Sequence, residues 1–234
     1  LRINFDILVR ISVSYRIMID LHTHTLFSDG LLLPLELIRR AYIAGYQAIA
    51  ITDHVDSSNI DFVIPRILEA SKTIAEDSQI TVITGAEITH APPRLIERLV
   101  KKARELGAEI VLAHGETVVE PVVPGTNSAA IDAGVDILTH PGLITREDAI
   151  KAKEKGVALE ITSRKGHSLS NGHVAKMAME TGATLIINTD AHAPEDLITT
   201  FRAKTILRSA GIPEEMVDEV FENSKKIVER IKSP

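Results

Sequence analysis

Short apolar runs punctuate the chain from Met18 onward, separated by longer stretches with helical periodicity. Met18–His22, Ala48–Thr52, Ile80–Ile83, Glu109–Ala113, Asp136–Thr139, Val157–Ile161 and Thr184–Asn188 are short and apolar, and read as strands buried on both faces. The intervening segments carry helix punctuation. Pro34 opens a helix that Gly45 stops, residues from about Ile60 to Asp77 form a second, and Pro92-Pro93 open a third that ends near Leu106-Gly107. A short helix is predicted near Asn127–Ala133. Thr145 is placed to cap the next, with acids in its first turn and Gly156 beyond its end; Ser170–Thr181 follows, stopped by Gly182. Two more helices, Pro194–Ala210 and Pro213–Lys232, close the chain. Seven strands alternating with helices wind into a parallel sheet through right-handed crossovers, and the steady alternation favours a barrel over an open sheet.

Residues 18–234 form one predicted domain, without internal repeat or linker. Residues 1–17 stand apart: Ile3, Phe5, Ile7, Val9, Ile11, Val13, Tyr15 and Ile17 alternate with mostly polar neighbours, and Asp6 and Arg10 rule out the continuous apolar core of a secretory signal. They read as an N-terminal extension ahead of Met18, or as an edge strand or plug at the barrel bottom.

Composition narrows the chemistry. The 234 residues include no cysteine, so any metal must be held by imidazole, carboxylate and water, and a reducing cytoplasm is the simplest location. No apolar stretch is long enough to span a bilayer. A net charge of −6 argues against a large nucleic-acid footprint.

The informative residues sit at the ends of the apolar runs. His22 and His24, Asp29, His54, Glu87, His114, His140, and Asp190 with His192 each lie at or just after a predicted strand. In a parallel α/β fold the carboxyl ends of the strands share one face, so these residues converge. Taken singly, each has an ordinary explanation: a strand-terminal turn, a solvated carboxylate, a satisfied core histidine. Jointly, histidines and acids after so many strands point to a multi-metal hydrolytic site. Asp20 and Asp53 either receive the far N–H of a ligating imidazole or cap local turns.

Asp20-Leu21-His22-Thr23-His24, Ser28-Asp29-Gly30, Thr52-Asp53-His54, Gly85-Ala86-Glu87, His114, Thr139-His140-Pro141-Gly142 and Thr189-Asp190-Ala191-His192 resemble, in order, the motifs of the polymerase-and-histidinol-phosphatase (PHP) family of metal-dependent phosphoesterases. The resemblance implies a distorted (β/α)7 TIM-like barrel. It implies three divalent cations, of Zn, Mn or Fe: the first on His22, His24, Glu87 and Asp190, the second on Glu87, His114 and His140, the third on Asp29, His54 and His192. Only a carboxylate offers two oxygens for bridging, which makes Glu87 the natural bridge.

Such a site would generate hydroxide from water shared between cations, for in-line attack on phosphorus, with Glu87 and Asp190 as the catalytic carboxylates. Asp190 or a water could protonate the leaving group. Arg164, in the loop after the sixth strand, has the planar fork that suits phosphate; Lys165, His167 and His90 are further candidates for substrate contact, as is Arg94, against the alternative of ordinary solvated loops. With no Trp, three Tyr and five Phe, the chain is poorly equipped to stack bases. A small phosphomonoester, of the kind typified by histidinol phosphate, is the expected substrate. The alternative is a phosphodiesterase or nuclease acting on short oligonucleotides or nucleoside bisphosphates.

Overall fold

The computed structural model describes residues 18–75 and 79–233. The N-terminal extension expected over 1–17 lies outside the described residues. Eight strand segments alternate with helices: β1 (Ile19–Asp20), α1 (Pro34–Ile43), β2 (Ala48–Ile51), β3 (His54–Val55), α2 (Ile60–Ala75), β4 (Thr81–Ile88), α3 (Pro93–Glu105), β5 (Ile110–His114), α4 (Thr126–Asp132), β6 (Ile137–Thr139), α5 (Arg146–Lys155), β7 (Ala158–Thr162), α6 (Asn171–Thr181), β8 (Leu185–Asn188), α7 (Thr200–Ser209) and α8 (Glu214–Lys232). All pairings are parallel, in the order β1-β2-β4-β5-β6-β7-β8. β2 and β3 are two halves of one strand position: β2 pairs with the lower half of β4, and β3 with its upper half, His54 beside Glu87. The seven-stranded barrel expected from the alternation is therefore present. β4 is longer than Ile80–Ile83 because it runs on through Gly85. A Cβ at Gly85 would lie 2.6 Å from the Ile110 side chain and 2.7 Å from that of Thr52, so only glycine lets β4 pass at that point.

Among the described residues, the first and last strands meet at their carboxyl ends. Leu21 N donates to Asn188 Oδ1, Asp190 N to the His22 carbonyl and His24 N to the Ala191 carbonyl, and Thr23 bridges to Ala191. Side chains alternate across each strand. One buried cluster of Ile, Val, Leu and Ala lies between strands and helices; a second, including Ile19, Leu21, Ala50, Ile83, Ile110, Leu112, Ile137 and Ile186, fills the barrel interior. Ile227, Val228 and Ile231 of α8 pack against that interior cluster, while Arg230 pairs with Asp136 and Lys232 with Glu109. One step further along each strand the inward row turns polar: Thr52, Glu87, His114, Thr139, Glu160 and Asn188 are all buried. The apolar layer excludes water from beneath, and the polar layer above it forms the site.

Helix punctuation agrees with the sequence pattern at α5, where Thr145 accepts from Asp148 N and Gly156 takes the left-handed cap, and at α6, which ends on left-handed Gly182. The helix expected over Pro194–Ala210 is broken. Pro194–Asp196 makes a single 3₁₀ turn, and the regular helix begins only at Thr200, capped by Thr199 accepting from Arg202 N. The cause is Asp196, whose carboxylate folds back onto the amides of His192 and Ala193. Among the described residues, no helix is long and apolar enough to cross a membrane.

Candidate metal centre

Eight of the nine histidines gather at the carboxyl ends of the strands. The ninth, His173, contacts the Ile144 carbonyl at 2.8 Å and is structural. His22, His24, Glu87 and Asp190 converge closely: the two Nε2 atoms are 3.0 Å apart, His22 Nε2 is 3.3 Å from Glu87 Oε1, and His24 Nε2 is 3.2 Å from Asp190 Oδ1. Asp29 Oδ1 lies 3.5 Å from His54 Nε2 and 3.2 Å from His192 Nε2. His140 Nε2 is 3.7 Å from both Glu87 and Asp190. Glu87 is central: Oε1 faces His22 and His140, Oε2 faces His54 Nδ1 at 2.7 Å and His24 at 3.8 Å, and Thr139 Oγ1 donates to Oε1 at 2.6 Å.

Two groupings differ from the expected partition. His24 belongs with Asp29, His54 and His192 as well as with His22 and Glu87. His167, expected at the substrate, stacks on His140 with ring centroids 4.2 Å apart and joins the His114–His140 cluster. The other expected substrate contacts divide. Arg164 and His90 line the cavity above the site, whereas Lys165 and Arg94 are exposed and lie outside that lining. Arg164 is oriented by Asp196, Nη1 to Oδ2 at 3.2 Å.

Sequence reasoning assigned no role to two residues. Glu160, fully buried on β7, accepts from His22 Nδ1 at 2.8 Å and from Asn188 Nδ2 at 2.9 Å. It is the far-side carboxylate of an imidazole, the role weighed for Asp20 and Asp53. Those two instead tie strand ends together. Asp20 accepts from Thr189 Oγ1, Thr189 N and His22 N, and Asp53 from Thr25 N, Thr25 Oγ1 and Ser28 Oγ. Glu120, on the loop after β5, lies 3.2 Å from the Nε2 atoms of His114 and His90 and 3.4 Å from that of His167. A carboxylate at the centre of β7 was the available signal for Glu160; Glu120 left none.

The backbone is strained where the site is tightest. His90, His140 and Asp190 have φ of 50°, 26° and 55°, which non-glycine residues adopt rarely and at a cost of about 1–3 kcal/mol each. Two residues after His140, Gly142 has φ 60°, and a Cβ there would sit 1.8 Å from the Glu116 carbonyl oxygen, so the loops after β5 and β6 touch backbone to backbone.

Electrostatics test whether cations fit. Burial pulls the His24 and His140 imidazoles well down, holding them neutral, as metal ligation requires. Burial also lowers His22, but the carboxylates of Glu160, Glu87 and Asp190 outweigh it and leave His22 well above its ordinary value. Burial likewise opposes ionisation of Glu87, yet His22 and His54 hold it well below the usual range. Asp190 is pushed up to about 7 by burial, with Glu87 adding repulsion. The buried Nδ1 atoms of His24, His114 and His140, and Asp190 Oδ1, have no hydrogen-bond partner. A nitrogen-and-oxygen donor set that includes neutral His24 and His140, with a buried carboxylate oxygen that accepts no hydrogen bond, fits borderline divalent cations.

The cavity above the cluster has a volume of about 360 Å³. A larger groove of about 420 Å³, lined by residues including Arg98, Lys101 and Lys102, lies on the helical flank away from the strand ends. It contributes to none of the clusters of metal-ligating side chains.

Fold and site together define a metal-dependent hydrolase of the barrel class. The chain belongs to the PHP domain family, whose model matches residues 20–179. It is 49% identical over 215 residues to an uncharacterised protein of Methanocaldococcus jannaschii, covering 91% of this chain and 99% of that protein. It is 27% identical over 231 residues to a protein of Thermoanaerobacter sp. named a probable phosphatase, covering 86% and 90% of the two chains. Histidinol phosphate phosphatase of Lactococcus lactis, crystallised with Zn, L-histidinol and phosphate, superposes with a TM-score of 0.60 at 18% identity, covering 83% of this chain and 94% of that one, a likeness of fold. The protein is thus a PHP-type metal-dependent phosphoesterase.

Proposed function

We propose that the protein is a cytoplasmic phosphomonoesterase acting on a small phosphorylated metabolite at a site for three divalent cations. His22, His24, Glu87 and Asp190 would hold the first, Glu87, His114 and His140 the second, and Asp29, His54 and His192 the third. The carrying observation is the position of Glu87, buried, with its two oxygens turned toward different histidine groups. The cations would supply Lewis acidity and a water acidic enough to attack phosphorus near neutral pH.

The chain's own residues supply the rest. Arg164, oriented by Asp196, would receive the phosphate oxygens at the mouth, with His90 and His167 nearby. Asp190, whose Oδ1 accepts no hydrogen bond from the protein, would hold a proton for the leaving alcohol. The cavity is at the small end of the range for ligand sites, and its described lining contains no Phe, Tyr or Trp on which a base could stack, which favours a monoester over an oligonucleotide.

The test is loading with Zn, Mn or Fe, followed by parallel assays of phosphate release from a monoester panel and nucleotide release from short oligomers. Phosphate release alone is expected; nucleotide release alone would overturn the monoesterase reading. Glu87→Ala should abolish turnover and lower the bound-cation count, and near-normal turnover would remove Glu87 from the site.

A further inference from the structure

Glu120 sits on the loop between β5 and α4, outside every ligand set considered so far. The loop that carries it is nevertheless anchored on both sides. Upstream, Thr117 Oγ1 bonds His167 Nδ1 at 2.7 Å. Downstream, Gly125 N and Asn127 N donate back to Glu116 Oε1, and the Asn127 side chain bonds Glu116 N and the Pro141 carbonyl. Between these anchors the Glu120 carboxylate reaches back over the cavity: Oε2 lies 3.2 Å from His114 Nε2 and from His90 Nε2, and Oε1 lies 3.4 Å from His167 Nε2. His114 turns toward it the one ring nitrogen that has a partner, since its Nδ1 is buried with none.

The second cation position has one place that the expected ligands leave open. Glu87 Oε1 already receives Thr139 and faces His22, and Oε2 faces His54. His114, His140 and one Glu87 oxygen make three protein donors, the usual protein share at a catalytic cation, and leave the fourth position exchangeable and open to a nearby carboxylate. Glu120 is the unassigned carboxylate that lies against His114, and its side chain is 37% exposed, so it can swing away.

We propose that Glu120 is a further metal ligand. Its carboxylate completes the coordination of the cation on His114 and His140 from the β5–α4 loop, and yields that position when a phosphate oxygen arrives. The proposal rests on the three-cation reading above, and the experiment separates the two. Cation content and chelator-driven cation release would be measured on the full chain loaded with Zn or Mn, for wild type, Glu120→Gln and Glu120→Asp, together with the affinity for inorganic phosphate by calorimetry.

Glu120→Gln should release one cation about tenfold faster or more, as expected when a metal's supporting carboxylate is neutralised. It should also bind phosphate several-fold more tightly, because the competitor for that position is weakened. Glu120→Asp should restore part of the retention, because the carboxylate is kept. Three cations in wild type with release and phosphate affinity unchanged in Glu120→Gln would overturn the inference and leave the site reading intact. No cation uptake by wild type would overturn both.

Discussion

Glu160→Gln is the most discriminating single change at this site. Glu160 is fully buried, and its Oε2 serves two donors, His22 Nδ1 at 2.8 Å and Asn188 Nδ2 at 2.9 Å, while Oε1 lies 3.3 Å from His140 N. Glutamine preserves the shape. Its amide oxygen must take the Oε2 position, because the opposite rotamer sets an NH₂ against both donors. The NH₂ group then faces His140 N and loses that weak contact. What remains at His22 is a neutral hydrogen bond in place of a charge-assisted one, a loss of about 1–2 kcal/mol. That bond keeps the proton on Nδ1 and leaves Nε2 free toward His24, Glu87 and Asp190. The expected result is a loss of roughly tenfold or more in affinity for the cation at His22, with the fold retained. Titration against a competing chelator measures it, and circular dichroism checks the fold. Wild-type cation affinity in Glu160→Gln would refute the idea that this carboxylate sets the imidazole's proton.

Arg164→Ala should raise KM roughly tenfold or more with kcat little changed, since it removes a charge-assisted phosphate contact; identical kinetics would assign the loop to solvent. Asp20 gives a pH signature. Burial raises its carboxyl from 3.8 to about 6, so between those values the folded state binds more protons than the unfolded state, and stability falls as pH rises through the window. Its contribution is at most about 3 kcal/mol. Denaturant unfolding of the metal-free chain should show wild type losing stability relative to Asp20→Asn across that window, and parallel profiles would contradict the assignment.

The barrel and the convergence of the histidines were legible for one reason: each lies where an apolar run stops, and a parallel fold brings those stops together. Thr145, Gly156 and Gly182 were legible as caps because their chemistry is local. Glu160 was not, because a carboxylate in the middle of a strand acquires a partner only when β1 is brought to β7. Asp20 and Asp53 looked equally suited to back an imidazole, but their lone pairs go to hydroxyls and amides of neighbouring strand ends. Asp196 broke a helix that Pro194 seemed to start, because its carboxylate found the His192 and Ala193 amides first. Glu120 lies in a loop rich in Pro and Gly, where nothing local reveals which way a side chain turns.

The barrel's seam carries a further consequence. Among the described residues, the backbone bonds across the seam between β1 and β8 lie past the strand ends, Asp190 N to the His22 carbonyl and His24 N to the Ala191 carbonyl, and His22 and His24 stand on one lip of that join with Asp190 and His192 on the other. An ion shared across the lips would act as a clasp, fastening the cylinder where its backbone ladder is thinnest. Resistance to unfolding and occupancy would then be one linked quantity, and depletion of the ions would loosen the wall itself before it emptied the reaction chamber.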